Sequence, residues 1–373
     1  MEAFIPVNEP DLSGNEKKYL LECLETGWIS SEGPFVKRFE ENFSQRVGRK
    51  YGVAVSNGTA ALEVAMKALN LPAGAEVILP AFTIISCAVA IIRAGLTPVL
   101  VDADSATWNL DPDKIDEKIT SKTQAIMVVH IYGLPTQMNP ILKIASKYGL
   151  KIIEDAAEMH GQTYNGQPCG SFGEISTFSF YPNKHITTGE GGMIVTDEPQ
   201  LAEICASLRN LCFQPKQRFI HEELGFNFRL TNLQAALGVA QLERLEYFIE
   251  KKRRMGQYYQ QHFSEMKELI TPPARTDYAE NIYWVFGMVL ADDVEFNAAE
   301  MMARLAKLGV GSRPFFWGMH EQPIFQRMGL FQGEHYPVTE RISRKGFYVP
   351  SGLRMTEAQQ IRVVAAVKEA LAA

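Results

Sequence analysis

Ser179-Phe180-Tyr181-Pro182-Asn183-Lys184-His185-Ile186-Thr187-Thr188-Gly189-Glu190-Gly191-Gly192 joins two β-prone runs, Ile175 to Phe180 and Met193 to Thr196. Between them lie a Pro-Asn turn, one lysine and three glycines, so the segment reads as strand, rigid turn and strand. A lysine presented this way can shed water, lose basicity and become the nucleophile that captures an aldehyde as a Schiff base. Glycines just beyond it let the backbone approach a bulky ligand. Taken alone, the segment fits an ordinary exposed turn lysine equally well.

Working outward, Tyr51 to Leu201 alternates short β-prone runs with helical stretches. The strands are expected at Gly52 to Ser56, Val77 to Leu79, Pro98 to Val101, Ala125 to Val129, Lys151 to Ile153 and Ile175 to Phe180. Helices are expected at Ala60 to Leu69, Ile85 to Ala94 and Pro140 to Tyr148. Near-continuous apolar strands separated by helices predict an α/β domain with a largely parallel sheet. Ligands of such sheets sit beyond the strand ends.

Polar groups fall at those ends. Asn57-Gly58-Thr59 opens an Ala/Leu-rich helix after the first strand, and a helix N-terminus with a glycine beside it can hold a phosphate. Glu154-Asp155-Ala156-Ala157-Glu158 leaves a buried strand, where a carboxylate is costly unless it meets a cation or donors. Each motif has a bland reading, a junction that binds nothing or a structural ion pair. Phosphate cradle, carboxylate and lysine within one domain are together what pyridoxal phosphate requires: an acid facing its ring nitrogen and an amine for its aldehyde.

The 373 residues can bury a large core and suggest two domains. Net charge is −6 and the pI about 5.8, which gives no basic footprint for nucleic acid or an anionic membrane. No apolar run reaches membrane-spanning length, and Met-Glu-Ala-Phe-Ile-Pro does not read as a secretory leader. The expectation is a cytoplasmic protein. Five scattered cysteines, Cys23, Cys87, Cys169, Cys205 and Cys212, speak against disulfides and a zinc site, and no metal is expected.

Elsewhere, Ser13-Gly14-Asn15-Glu16 has capping-box spacing before a short helix. Phe35, Phe39 and Phe43 form a one-faced stripe that reads as core. Asn232 to about Gln260 reads as one long helix whose run Lys251-Lys252-Arg253-Arg254 reads as a solvated face. Thr271-Pro272-Pro273 leads into a smaller α/β region with a strand at Tyr283 to Leu290 and helices at Ala298 to Leu308 and Gln359 to Leu371. The domains are placed at 1–245 and 246–373.

Nearly the whole chain resembles the DegT/DnrJ/EryC1/StrS sugar aminotransferases, which have the aspartate aminotransferase fold (type I). The resemblance runs through Gly27-Trp28-Ile29-Ser30, Ser56 to Leu62, Glu154 to Ala157, the lysine segment and Gly225 to Ala236. It implies that Lys184 is the Schiff-base lysine and that Asp155 faces the pyridine nitrogen. It implies further that Gly58, Thr59 and Ser179 hold the phosphate, joined by Asn227 from a neighbouring subunit, whose Arg229 is expected at the substrate. A homodimer with shared active sites follows, and a dimer of dimers is left open.

Two positions depart from the family pattern. Ile84 stands where relatives place an aromatic against the cofactor, leaving Phe82 as a substitute. Glu158 stands where glutamine or histidine is common near the phenolic oxygen. Trp28 and Ser30 in a Trp-Ile-Ser segment, His185, and His320 in the aromatic loop Arg313 to Pro323 are expected at the sugar. Trp-Ile-Ser further implies amination at carbon 4 of a nucleotide-linked 4-keto-6-deoxy sugar, best matched by GDP-4-keto-6-deoxymannose, with L-glutamate as donor and pyridoxamine phosphate as the intermediate cofactor form. UDP- or dTDP-linked keto sugars, a sugar dehydratase on the same fold and a non-enzymatic regulator are the alternatives.

Overall fold

The computed structural model describes residues 3–214, 217 and 219–372. Seven strands form the larger sheet, in the order Tyr51–Val55, Gly192–Thr196, Ile175–Ser179, Lys151–Asp155, Thr123–Val129, Glu76–Pro80 and Thr97–Val101. Gly192–Thr196 is antiparallel to both of its neighbours, and the remaining pairings are parallel. Val77, Leu79, Ala125, Met127 and Ile153 face one apolar cluster, while Ile78, Ile126, Val128 and Ile152 face another. Burial on both faces explains why these strands read as unbroken apolar runs.

Strand and helix positions agree with the sequence pattern to within a few residues, with local exceptions. Ser13 Oγ donates to Asp11 Oδ1 at 2.6 Å, so the proposed capping box does not form; the first helix, Glu16–Thr26, begins after Asn15 without a side-chain cap. The long C-terminal helix of the large half is two helices, Asn232–Leu242 and Leu245–Phe263. Thr231 and Gln234 cap the first of them reciprocally. The phenylalanine stripe is core: Phe35, Phe39 and Phe43 are all buried.

A second sheet holds Ile270–Thr271, Phe286–Leu290, Gly346–Val349 and Arg313–Pro314 in that order, with all its pairings antiparallel. Its core gathers Tyr259, Phe263, Phe286, Met288, Leu305, Phe347 and Val367. The N-terminal segment joins this core, since Ile5 bridges to Val310 and Ser351 N–H donates to the Val7 carbonyl. One residue on, Asn8 Nδ2 donates to the Pro182 carbonyl at 3.0 Å, in the lysine turn of the larger sheet.

The basic run proves only partly solvated. Lys252 is buried, and its ammonium donates to the carbonyls of Trp284, at 2.8 Å, and of Ser351. Burial with no carboxylate in contact pushes this lysine down to about 7. All five cysteines are buried and free.

Candidate active site

A cavity of about 760 Å³ opens at the ends of the larger sheet's strands. Lys184 enters it from the turn after Ile175–Ser179. Asp155 enters from the end of Lys151–Asp155, and the helix Gly58–Ala68 aims its N-terminus into it. Crossing connections of parallel strands leave such a crevice where polar strand-end residues converge.

The helix end is built as an anion cradle. Asn57 accepts the Ala60 N–H at 2.8 Å, while Gly58 and Thr59 hold the first N–H groups, which have no partner within the helix. Ser179 closes against them so tightly that a Cβ on Gly58 would lie 2.7 Å from Ser179 Cβ. Thr59 Oγ1 and Ser86 Oγ, 2.8 Å apart, add two hydroxyls. Ser86 went unread because nothing in the sequence near it marks a phosphate site.

Alternation along Lys151–Asp155 sends Glu154 and Asp155 to opposite faces. Glu154 is fully buried and accepts from His130 Nε2, the Gly170 and Phe172 N–H groups and Ser176 Oγ. The Thr136 N–H donates to His130 Nδ1, so the ring proton sits on Nε2, toward Glu154. That network anchors the strand end. Asp155 lies across the backbone, 2% exposed, and accepts from Cys87 Sγ at 3.3 Å and the Ala157 N–H at 3.1 Å. Burial raises its pKa, opposed by these two donors and by Lys184.

Lys184 Nζ lies 3.7 Å from Glu158 Oε1 and 3.8 Å from the centre of the Trp284 ring. Burial lowers the amine below the ordinary lysine value, with Glu158 and Asp155 opposing. Burial likewise pushes Glu158 up to about 7, although the Tyr132 N–H donates to its other oxygen at 2.6 Å. The two share one dry pocket, and each alters the other's protonation.

These residues suit pyridoxal phosphate. The cradle offers N–H and hydroxyl donors to a phosphate, and the amine is poised for an aldehyde. Among the described residues no cationic side chain touches the buried Asp155 carboxylate, so a ring N–H would complete it. Thr177 Oγ1 and Asn183 Oδ1, on the same wall, are buried without a hydrogen-bond partner.

Other expected residues are distributed unevenly. Ile84 lines the cavity, whereas Phe82 is fully buried among Tyr132, Phe315 and Phe316. His185, next to Lys184, turns inward: its Nε2 lies 3.0 Å from the Ile282 carbonyl, and burial pushes it down to about 3. His320 is buried and pairs with Glu340 Oε1 at 3.1 Å. Neither histidine lines the cavity, so their placement at the sugar is not what this chain's geometry provides. Packing drives both inward, since each ring meets aromatic neighbours.

Trp28 and Ser30 lie on an exposed loop tied to Asn232, which donates to the Trp28 carbonyl and whose N–H donates to the Ser30 carbonyl. Asn227 is exposed, and Arg229 donates to Asn210 Oδ1 at 2.7 Å. None of these four lines the cavity within this chain, whereas Phe228 between them does. Trp284, Phe316 and Tyr348 from the smaller half close the far wall.

Lysine, buried carboxylate and helix-end cradle, set at the strand ends of a mainly parallel sheet, define the class of α/β proteins that hold a phosphorylated aldehyde cofactor through a lysine. Residues 10–368 match the DegT/DnrJ/EryC1/StrS aminotransferase family, and the chain belongs to that family. It is 40% identical to GDP-perosamine synthase of Caulobacter vibrioides, over 98% of each chain. It is 33% identical to the putative pyridoxal phosphate-dependent aminotransferase EpsN of Bacillus subtilis, over 96% of this chain and 94% of the relative. The X-ray structure of an aminotransferase from Psychrobacter cryohalolentis superposes with a TM-score of 0.90 at 29% identity, covering 99% of both chains.

Proposed function

We propose that this aminotransferase moves the amino group of L-glutamate to the 4-keto carbon of a nucleotide-linked 4-keto-6-deoxy sugar, with GDP-4-keto-6-deoxymannose as substrate and GDP-perosamine as product. The observation that carries the reading is the Lys184 amine, desolvated and flanked by Glu158 and Trp284, in one cavity with Asp155 and the Gly58–Thr59 cradle. The likeness to a GDP-perosamine synthase over nearly the full chain supports the choice of sugar. Lys184 facing the cavity speaks against the dehydratase alternative.

When bound, pyridoxal phosphate supplies the aldehyde that accepts the amino group and the ring that takes up the electron pair. Gly58, Thr59 and Ser179 hold its phosphate, and Asp155 keeps its ring nitrogen protonated. The Lys184 amine would serve as general base and acid, taking a proton at the donor's α-carbon in one half-reaction and delivering one to sugar carbon 4 in the other. Glu158 beside it accepts a hydrogen bond or shares that proton. Ile84 and the far-wall aromatics exclude water.

Asn227 and Arg229 complete the site of a neighbouring subunit, so the active unit is a homodimer. The exposure of Asn227 and the absence of both residues from their own chain's cavity lining support this. The two sheets with separate cores support a division near residue 246 into a cofactor-binding half and a smaller half. The protein works in the cytoplasm, where nucleotide sugars are made; no helix among the described residues is long and apolar enough to cross a membrane.

The decisive experiment incubates the cofactor-loaded protein and glutamate with GDP-, dTDP- and UDP-linked 4-keto-6-deoxyhexoses, followed by mass spectrometry. Amination of the GDP sugar is expected. Clear preference for a dTDP or UDP sugar would reject that substrate and leave the aminotransferase reading in place.

A further inference from the structure

Trp284 belongs by sequence to the smaller half, yet it is the residue against which the lysine amine rests. Its ring centre lies 3.8 Å from Lys184 Nζ, and its indole Nε1 donates to the Asn183 carbonyl at 2.9 Å, directly before that lysine. The ring is locked from behind. Its own carbonyl accepts from the Lys252 ammonium, and the Ile282 carbonyl, two residues earlier, lies 3.0 Å from His185 Nε2. Segment 281–284 can press this close because residue 133 is glycine: a Cβ there would lie 2.6 Å from the Trp284 nitrogen.

We propose that Trp284 is a positioning residue for Lys184, holding the ammonium by its ring face and the lysine turn by its indole N–H. The inference rests on the aminotransferase reading above and deepens it. A ring face stabilises a cation electrostatically, yet it cannot take the proton away, as a carboxylate can. Glu158, 3.7 Å from the same amine, is able to do so. Trp284 therefore favours the charged form once the lysine has taken up a proton and keeps it aimed into the cavity, where that proton is delivered.

The other groups around the amine are accounted for. Glu158 and Asp155 favour its charged form. His160 and His185 are kept neutral by burial. Lys252 lies behind the indole, fastened to main-chain carbonyls. Removing the ring face should make the amine easier to deprotonate.

The test uses chain freed of cofactor and mixed with pyridoxal phosphate, recording the rate at which visible absorbance appears as a function of pH. Only the unprotonated amine reacts, so the midpoint of the profile reports the lysine's pKa. Trp284→Leu is expected to move the midpoint to lower pH by about 0.5–1.5 units, the size of a partly desolvated cation–π contact. Trp284→Phe, which keeps a weaker ring face and loses the N–H, is expected to move it by less and to slow capture at every pH.

Chain grown with fluorinated tryptophan, which weakens the ring face without changing its shape, should shift in the same direction as the leucine variant. It carries the test if Trp284→Leu fails to fold. Coincident midpoints in the folded variants and the fluorinated chain would overturn the proposal. If wild type develops no visible band while Lys184→Ala is equally silent, the aminotransferase reading itself fails and the positioning role falls with it.

Discussion

The two ends of the cavity are made differently. The phosphate end is built from backbone and short side chains of one chain: Gly58, Thr59 and Ser179 are held by a helix start and a strand end, with no slack between them. The residues expected at the sugar are either exposed on loops, as are Trp28 and Ser30, or buried elsewhere, as are His185 and His320. A ligand common to a whole family can be met by rigid main chain, whereas a variable one is met by loops. The difference also indicates that one chain builds most of the cofactor half, to which the proposed Asn227 of a neighbour would be added, and leaves the sugar half open.

The largest effect should come from the residue on which both ends depend. Lys184→Ala is expected to retain the cofactor through the phosphate cradle and Asp155 while losing at least the roughly 10²- to 10⁴-fold supplied by general acid–base catalysis. Turnover and the visible spectrum, measured together, check this; near wild-type turnover would remove Lys184 from the mechanism.

A hybrid experiment then challenges the proposed sharing. Lys184→Ala chains and chains carrying Asn227→Asp with Arg229→Ala should each be nearly inactive alone. Mixed in equal amounts, up to about half of the dimers would be hybrids under random pairing, each with one intact site. Silence from hybrids shown to have formed would return the Asn227 loop to its own subunit.

The rigid end can be broken with one methyl group. Gly58→Ala places a Cβ 2.7 Å from Ser179 Cβ and 3.1 Å from its Oγ, so the cradle must open. An overpacking cost of about 1–3 kcal/mol corresponds to about a 5- to 150-fold loss of cofactor affinity, read by fluorescence titration. Trp28→Ala should leave that titration unchanged and raise KM for the nucleotide sugar.

The smallest effect on catalysis concerns a residue the sequence placed at the sugar and the structure places in the packing. His185 is held neutral, down at about 3 from an ordinary 6.5. A depressed folded pKa contributes stability that is present above about 6.5 and lost progressively as pH falls toward 3. Unfolding free energy should therefore fall by about 1.4 kcal/mol per pH unit through that window on account of this group. Chemical denaturation of His185→Gln against wild type checks it: the variant should be the less pH-sensitive of the two, with KM for the sugar little changed.

What could be read beforehand divides along similar lines. Lys184, Asp155 and Gly58 stood out because each follows an apolar run at a strand end, and their combination within one domain, with the family resemblance, suggested their roles. The largely parallel sheet followed from the same runs, though its strand order did not. Lys252 was misread because three charged neighbours suggested a solvated face, and helix register against a second core, which no short window contains, buries one of the four. Trp284 looked like one more aromatic in a strand. Its role depends on Gly133 and on a turn from the other sheet, contacts between residues far apart in sequence.

The N-terminal strap has a bearing on how the molecule comes to be made. Ile5 finds its bridge partner at Val310, Val7 its donor at Ser351, and Asn8 the turn that carries Lys184. The partners of Ile5 and Val7 lie roughly 300 residues further along the chain, so these residues stay unpaired until segments around Val310 and Ser351 have been made. Contacts of such long sequence separation are slow to form, so the larger sheet, whose strands lie between Tyr51 and Thr196, can pair before the strap finds Val310 and Ser351.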